Sequence, residues 1–64
     1  MLLNPRINQR VQIWYRENMR WMPYHAMIGI VRIVSRGRPR NHGVQIGSVM
    51  VSVPCGNLRR ILHE

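Results

Sequence analysis

Five residues near the middle of the chain, Arg36-Gly37-Arg38-Pro39-Arg40, carry the densest local chemistry in the sequence. Arginine presents a planar, weakly hydrated fork of N–H donors that suits phosphates, guanine edges and the negative potential of a narrow minor groove. Glycine lets a backbone approach a groove floor, and proline keeps the chain extended. The same residues are also turn chemistry: Gly37, Pro39 and Asn41 suit a hairpin tip on which the arginines are merely solvated. From the residues alone both readings stand.

The rest of the charge points the same way as the tip. The 64 residues include ten arginines, no lysine and two acids, Glu17 and Glu64, for a formal net charge of +8. A fold does not need such an excess, whereas a polyanionic partner would exploit it, so nucleic acid is the leading partner class. An all-arginine set is equally what codon usage in a GC-rich genome produces. Arg6, Arg10, Arg16 and Arg20 lie early and Arg59-Arg60 late. Pairing of a first strand with a last one would gather them to hold phosphates beside the tip. Trp14, Tyr15, Trp21 and Tyr24 flank Arg16 and Arg20, a mixture on which bases can stack over a cationic groove. A core without phenylalanine also needs large rings, which assigns Trp14 and Trp21 mainly to filling volume. Trp14 and Tyr15, adjacent in a strand, must point to opposite faces.

Catalysis lacks its usual parts. The chain has no Asp, no Lys and no neighbouring carboxylates, so hydrolysis by an acid/base pair and magnesium-dependent phosphoryl transfer are not expected. Cys55 with His25 or His42 is a nominal nucleophile and base, but a lone cysteine after Pro54 reads as a small packed residue. His25, His42 and His63 show no metal-ligand spacing, and neither metal nor cofactor is expected. The single cysteine fits a reducing cytoplasm. The apolar run Ala26 to Val31 is far too short for a bilayer, and MLLNPRINQR lacks a signal peptide's apolar region, so no membrane role is expected.

Periodicity supplies the elements that must position these groups. Arg10 to Tyr15 alternates with Val11 and Ile13 on one face, the period of a half-buried strand. Arg16 to His25 reads as a long ordered loop, broken by Asn18 and Pro23. Ala26 to Val34 reads as a bent strand with a bulge or close backbone approach at Gly29. His42 to Ile46 and Val49 to Val53 flank Gly47-Ser48, a two-residue hairpin signal. In the latter strand Val49, Val51 and Val53 face one way and Met50 and Ser52 the other. Pro54 stops it, "CGN" turns, and Leu58 to Leu62 returns as a short final strand. The expected fold class is all-β: residues 1–9 form an N-terminal arm and residues 10–62 a small five-stranded antiparallel barrel, whose exposed edges are managed by curling nearly closed.

With strand, long loop, bent strand with Gly29-x-Val31, hairpin and "VSVPCGNLRRI" in that order, residues 10–62 resemble the SH3-like barrel. "IGIVRIVSRGRPRNHGVQI" is similar to the KOW segment of ribosomal proteins and transcription factors. These resemblances imply a module that binds RNA, DNA or protein. Arg36-Gly37-Arg38-Pro39 resembles the core of an AT-hook, which implies minor-groove binding to A·T-rich duplexes. Here Ile33, Val34 and Ser35 precede it and a strand follows, so the hook would have to work as a hairpin tip. "GSVMVSVPCGNLRRI" also looks like part of type II dihydrofolate reductases. That family's pore segment, Val-Gln-Ile-Tyr, would fall on Val49 to Ser52, where only the valine matches, and folate chemistry is not expected. The expected function is therefore non-enzymatic binding of duplex DNA through Arg36, Gly37, Arg38, Pro39 and Arg40, with Arg16, Arg20, Arg59 and Arg60 on the supporting surface. The setting would be a small nucleoid, plasmid or phage regulator, and a second copy could close an edge as a homodimer. The alternatives are KOW-like RNA binding and an SH3-like adaptor. In these Tyr15, Trp21 and Tyr24 stack on bases or, with Met19 and Met22, grip an acidic protein partner.

Overall fold

Alternating burial runs through the strands as the pattern requires: Val11, Ile13, Val31, Val44, Ile46 and Val53 are buried and their chain neighbours face out or lie half-covered. The computed structural model describes residues 1–61. Five strands, β1 (Arg10–Ile13), β2 (Ile28–Ile33), β3 (Asn41–Ile46), β4 (Val49–Pro54) and β5 (Leu58–Arg60), form one antiparallel sheet in the order β4-β3-β2-β1-β5. Two short 3-10 turns, Glu17–Met19 and Cys55–Asn57, complete the regular structure. No helix among the described residues is long and apolar enough to cross a membrane.

Connectivity forces this sheet to curl. β4 and β5 are its opposite edges, which in a flat five-stranded sheet would lie about 19 Å apart at roughly 4.8 Å per strand. Only Cys55–Asn57 joins them, and a 3-10 turn of that length advances about 6 Å. The sheet therefore wraps on itself, giving nearly equal extents of 27 × 26 × 23 Å. Val53 of β4 and Leu58 of β5 enter the same buried cluster as Val11, Ile13, Val31 and Val44. Closure is not reached: no ladder joins β4 to β5 among the described residues, so the expected barrel is a curled, open sheet.

Several strand limits move for identifiable reasons. β1 ends at Ile13 rather than Tyr15, because the Tyr15 N–H is taken by His25 Nδ1 at 3.1 Å instead of a ladder partner. β2 begins at Ile28; Tyr24 and Ala26 before it have φ of 70° and 67°, which no strand accommodates. β4 runs through Pro54, opposite Asn41, since an edge strand tolerates a residue without an N–H. The expected end of the last strand at Leu62 lies outside the described residues. The hairpin at Gly47-Ser48 is as expected, with Ile46 opposite Val49 and Gly47 at φ 60°.

Gly29 is a close approach, and the β2–β3 register shift lies beyond it, between Val31 and Ile33. A Cβ at Gly29 would stand 2.6 Å from Val44 Cγ1, 2.7 Å from the Gln45 carbonyl oxygen and 2.9 Å from Ile46 Cγ1. One of these atoms is backbone in the middle of the sheet and cannot step aside. Gly29→Ala is expected to lower unfolding stability by about 1–3 kcal/mol, the usual cost of overpacking. Urea denaturation followed by far-UV circular dichroism measures it; an unchanged midpoint would show that β2 and β3 separate freely here.

Candidate nucleic-acid interface

The arginine-rich segment is the tip of the β2–β3 connection. The chain bends at Gly37, Arg38 and Pro39, and the Arg38–Pro39 peptide is cis. Ser35 Oγ accepts the Gly37 N–H at 3.4 Å. Arg36 and Arg38 are exposed, but Arg40 is half-buried. Its guanidinium donates to Asn4 Oδ1, and its carbonyl accepts the Cys55 N–H at 2.9 Å. The projecting cations of the tip are thus Arg36 and Arg38, while Arg40, expected to project with them, is an anchor. Gly37 is not required by the fold: its φ is not positive, and a Cβ would meet nothing nearer than Ser35 Oγ at 3.9 Å.

The first nine residues pack onto the sheet and form the tip's neighbour. Leu2 N–H donates to the Cys55 carbonyl (3.2 Å), Asn8 N–H to Val31 (2.7 Å), and Val31 N–H returns to Gln9 (2.9 Å). Pro5 is buried. The fully buried His42 ties this arm to the tip, because its Nδ1 accepts the Ser35 N–H at 3.1 Å and its Nε2 lies 3.2 Å from the Leu3 carbonyl. With Nδ1 accepting, the proton sits on Nε2 and is donated to Leu3. Between arm and tip runs a groove of about 620 Å³ lined by Asn4, Pro5, Arg6, Ile7, Val34, Arg36 and Arg40. Beyond it a second groove, about 660 Å³, is lined in part by Arg6, Arg10 and Arg60. Arg6 lines both, so the cations form one continuous track from the tip to the end of β5.

Arg59 and Arg60, adjacent in β5, part company across the sheet. Pairing of Gln12 with Arg59 puts its guanidinium carbon 3.5 Å from the centre of the Trp14 ring, with Nε donating to Gln12 Oε1 at 2.8 Å. Arg20 also approaches that ring, at 5.0 Å, and its Nε donates to the Tyr15 carbonyl at 3.3 Å. His25 packs against the same indole at 4.7 Å between centroids. Trp14 is therefore a half-buried hub for two arginines and a histidine. Arg59 and Arg20 are engaged by it, in contrast to Arg60 on the track.

The aromatic residues do not gather. Tyr15 is 9% exposed and belongs to the core, so it is withdrawn from any stacking surface. Tyr24 is half-buried against the same cluster. Trp21, expected mainly to fill volume, is instead 75% exposed, with only its indole N–H tied to the Asn18 carbonyl at 3.1 Å. Arg16 lines a separate groove of about 460 Å³ with Tyr15, Met19, Met22 and Pro54. Arg32, not singled out in the sequence, bridges Gln45 Oε1 (2.8 Å) and Asn8 Oδ1 (2.5 Å) on the outer face. Its place beside the β2–β3 register shift is the signal that marks it.

Among the described residues no three metal-ligating side chains come together, and Glu17 is the one acidic side chain. Cys55 is unpaired and half-buried. His42 has both ring nitrogens engaged with backbone, which removes it as a base for that thiol. Comparison with protein-family models, with curated proteins and with solved structures finds no match to this chain, so its own geometry carries the functional reading.

Proposed function

We propose that this protein is a non-enzymatic binder of duplex DNA, in which the track Arg36, Arg6, Arg10 and Arg60 holds backbone phosphates and Arg38 enters a groove from the tip. The observation that carries the reading is the track itself: cations drawn from the arm, the tip and β5 line two adjoining grooves. A molecule 27 Å across spans at most about eight base pairs at roughly 3.4 Å each. Phosphate contacts supply the affinity and register, and a preference for A·T tracts comes from Arg38 in a narrow minor groove. The resemblance of Arg36 to Pro39 to an AT-hook supports that choice of groove, and a small cytoplasmic nucleoid, plasmid or phage regulator is the setting it fits.

Gly37 and Arg38 give the test. Because the fold has room for a side chain at position 37, Gly37→Ala should leave stability unchanged or raise it by about 0.4–1 kcal/mol. If the backbone there lies on a groove floor, the same change weakens A·T-duplex binding about tenfold or more, the scale of one lost specific contact. Arg38→Ala should weaken A·T-rich duplexes more than G·C-rich ones, measured by fluorescence anisotropy. Equal losses on both would reduce Arg38 to a phosphate contact.

The exposed Trp21 beside the Met19–Met22 groove favours a second reading, an adaptor for an acidic protein partner. That reading expects a complex which survives nuclease, is lost with Trp21→Ala and persists with Arg38→Ala.

A further inference from the structure

We propose that the groove between the arm and the tip is a dedicated sugar-phosphate site, in which Arg6 and Arg36 share one phosphodiester and the sugar rests on Pro5, Ile7 and Val34. This rests on the nucleic-acid reading and deepens it, since it names the unit recognised and the residues that recognise it. The groove differs from an ordinary cationic surface in three respects. Its lining combines the apolar Pro5, Ile7 and Val34 with the cationic Arg6 and Arg36, a mixture that suits a sugar ring carrying a phosphate. Its volume, about 620 Å³, is within the range of small-molecule sites.

The third respect is that its walls are braced before any ligand arrives. His42 joins Ser35 of the tip wall to Leu3 of the arm wall, and Arg40 joins the tip to Asn4. Asn8 and Gln9 then fasten the far end of the arm to Val31. A site built in this way does not have to order two loops on binding, which is a large part of the cost of association. Arg40 is a positioning residue here, with its fork turned to Asn4, while Arg6 and Arg36 are exposed and supply the donors. A phosphate fixed between them sets the register from which Arg38, two residues further along, meets the adjacent groove of the duplex.

The test is a double-mutant cycle on an A·T-rich duplex. Arg6→Ala and Arg36→Ala should each weaken binding about tenfold, yet the double variant should lose only about 10–20-fold, because both single changes damage the same contact. A double loss near one hundredfold, the product of the singles, would overturn the shared site. All three variants should unfold at the native midpoint, since both side chains are exposed. A second arm separates this claim from the DNA reading: the 5′-phosphorylated dinucleotide pd(ApT) is titrated and backbone amide NMR shifts are followed. Shifts confined to Arg6, Ile7, Val34 and Arg36, and abolished by Arg6→Ala, support the site even if no duplex binds. Shifts scattered over the surface, or unchanged by Arg6→Ala, overturn it even if duplexes bind well.

Discussion

His42→Ala should cost the protein about 3 kcal/mol of stability or more. His42 is the one buried polar side chain among the described residues and one of the largest with no exposed surface. Truncating a large buried side chain leaves a cavity worth about 2–5 kcal/mol. The change also strips a partner from the half-buried Ser35 N–H, adding a fraction of the roughly 1–3 kcal/mol that a fully buried unpaired donor costs. A chain of this size has only about 3–10 kcal/mol in total, so His42→Ala should lose a large share of it and unfold at a much lower urea concentration than native. His42→Phe fills the site with a somewhat larger ring and loses the hydrogen bonds, and should fall between the native protein and His42→Ala. Because the imidazole joins arm to tip, His42→Phe should also weaken duplex binding more than its surviving folded fraction explains. Urea midpoints within about 0.5 kcal/mol of native for both variants would show that the bridge is dispensable.

Binding to duplex DNA should fall steeply with salt. With one phosphate shared by Arg6 and Arg36, one held by Arg10 and one by Arg60, while Arg38 lies in the groove, log K against log salt has a slope of about −2.7, at roughly −0.9 per phosphate. Raising salt from about 50 to 200 mM then costs about 40-fold in affinity. On single-stranded nucleic acid the smaller coefficient, about −0.7 per phosphate, gives a slope of about −2.1. The two arginines of β5 should behave differently. Arg60→Ala shallows the slope by about one, whereas Arg59→Ala leaves it unchanged, because Arg59 lies on Trp14 and Gln12. Equal effects of the two would mean that the Trp14 contact does not hold Arg59 away from the DNA.

Strands and turns were legible in the sequence wherever one residue's chemistry decides its own surroundings. Val11 and Ile13 alternate because one face of β1 is buried, and Gly47 takes a φ that other residues avoid. Gly29 announces a close approach without saying which strand does the approaching. The candidate site was less legible, since it depends on pairs far apart in the chain. Nothing local to His42 shows that its ring will lie between Ser35 and Leu3, and nothing local to the arm shows that Pro5 will be buried. Arg40 looks like its neighbours Arg36 and Arg38, and only Asn4 distinguishes it. The company of Arg16 makes Tyr15 a candidate for stacking, whereas alternation from Val11 and Ile13 places it inward, where it lies.

The most direct test of the account is a salt titration by fluorescence anisotropy of the native protein against three labelled probes: an A·T-rich duplex, a G·C-rich duplex of equal length, and a single-stranded RNA. The account predicts slopes of about −2.7 on both duplexes, with an A·T preference that persists at near-physiological salt because groove shape, unlike counterion release, is not removed by salt. Equal, weak binding to all three probes that vanishes together as salt rises would contradict it and reduce the arginine tip to a solvated turn.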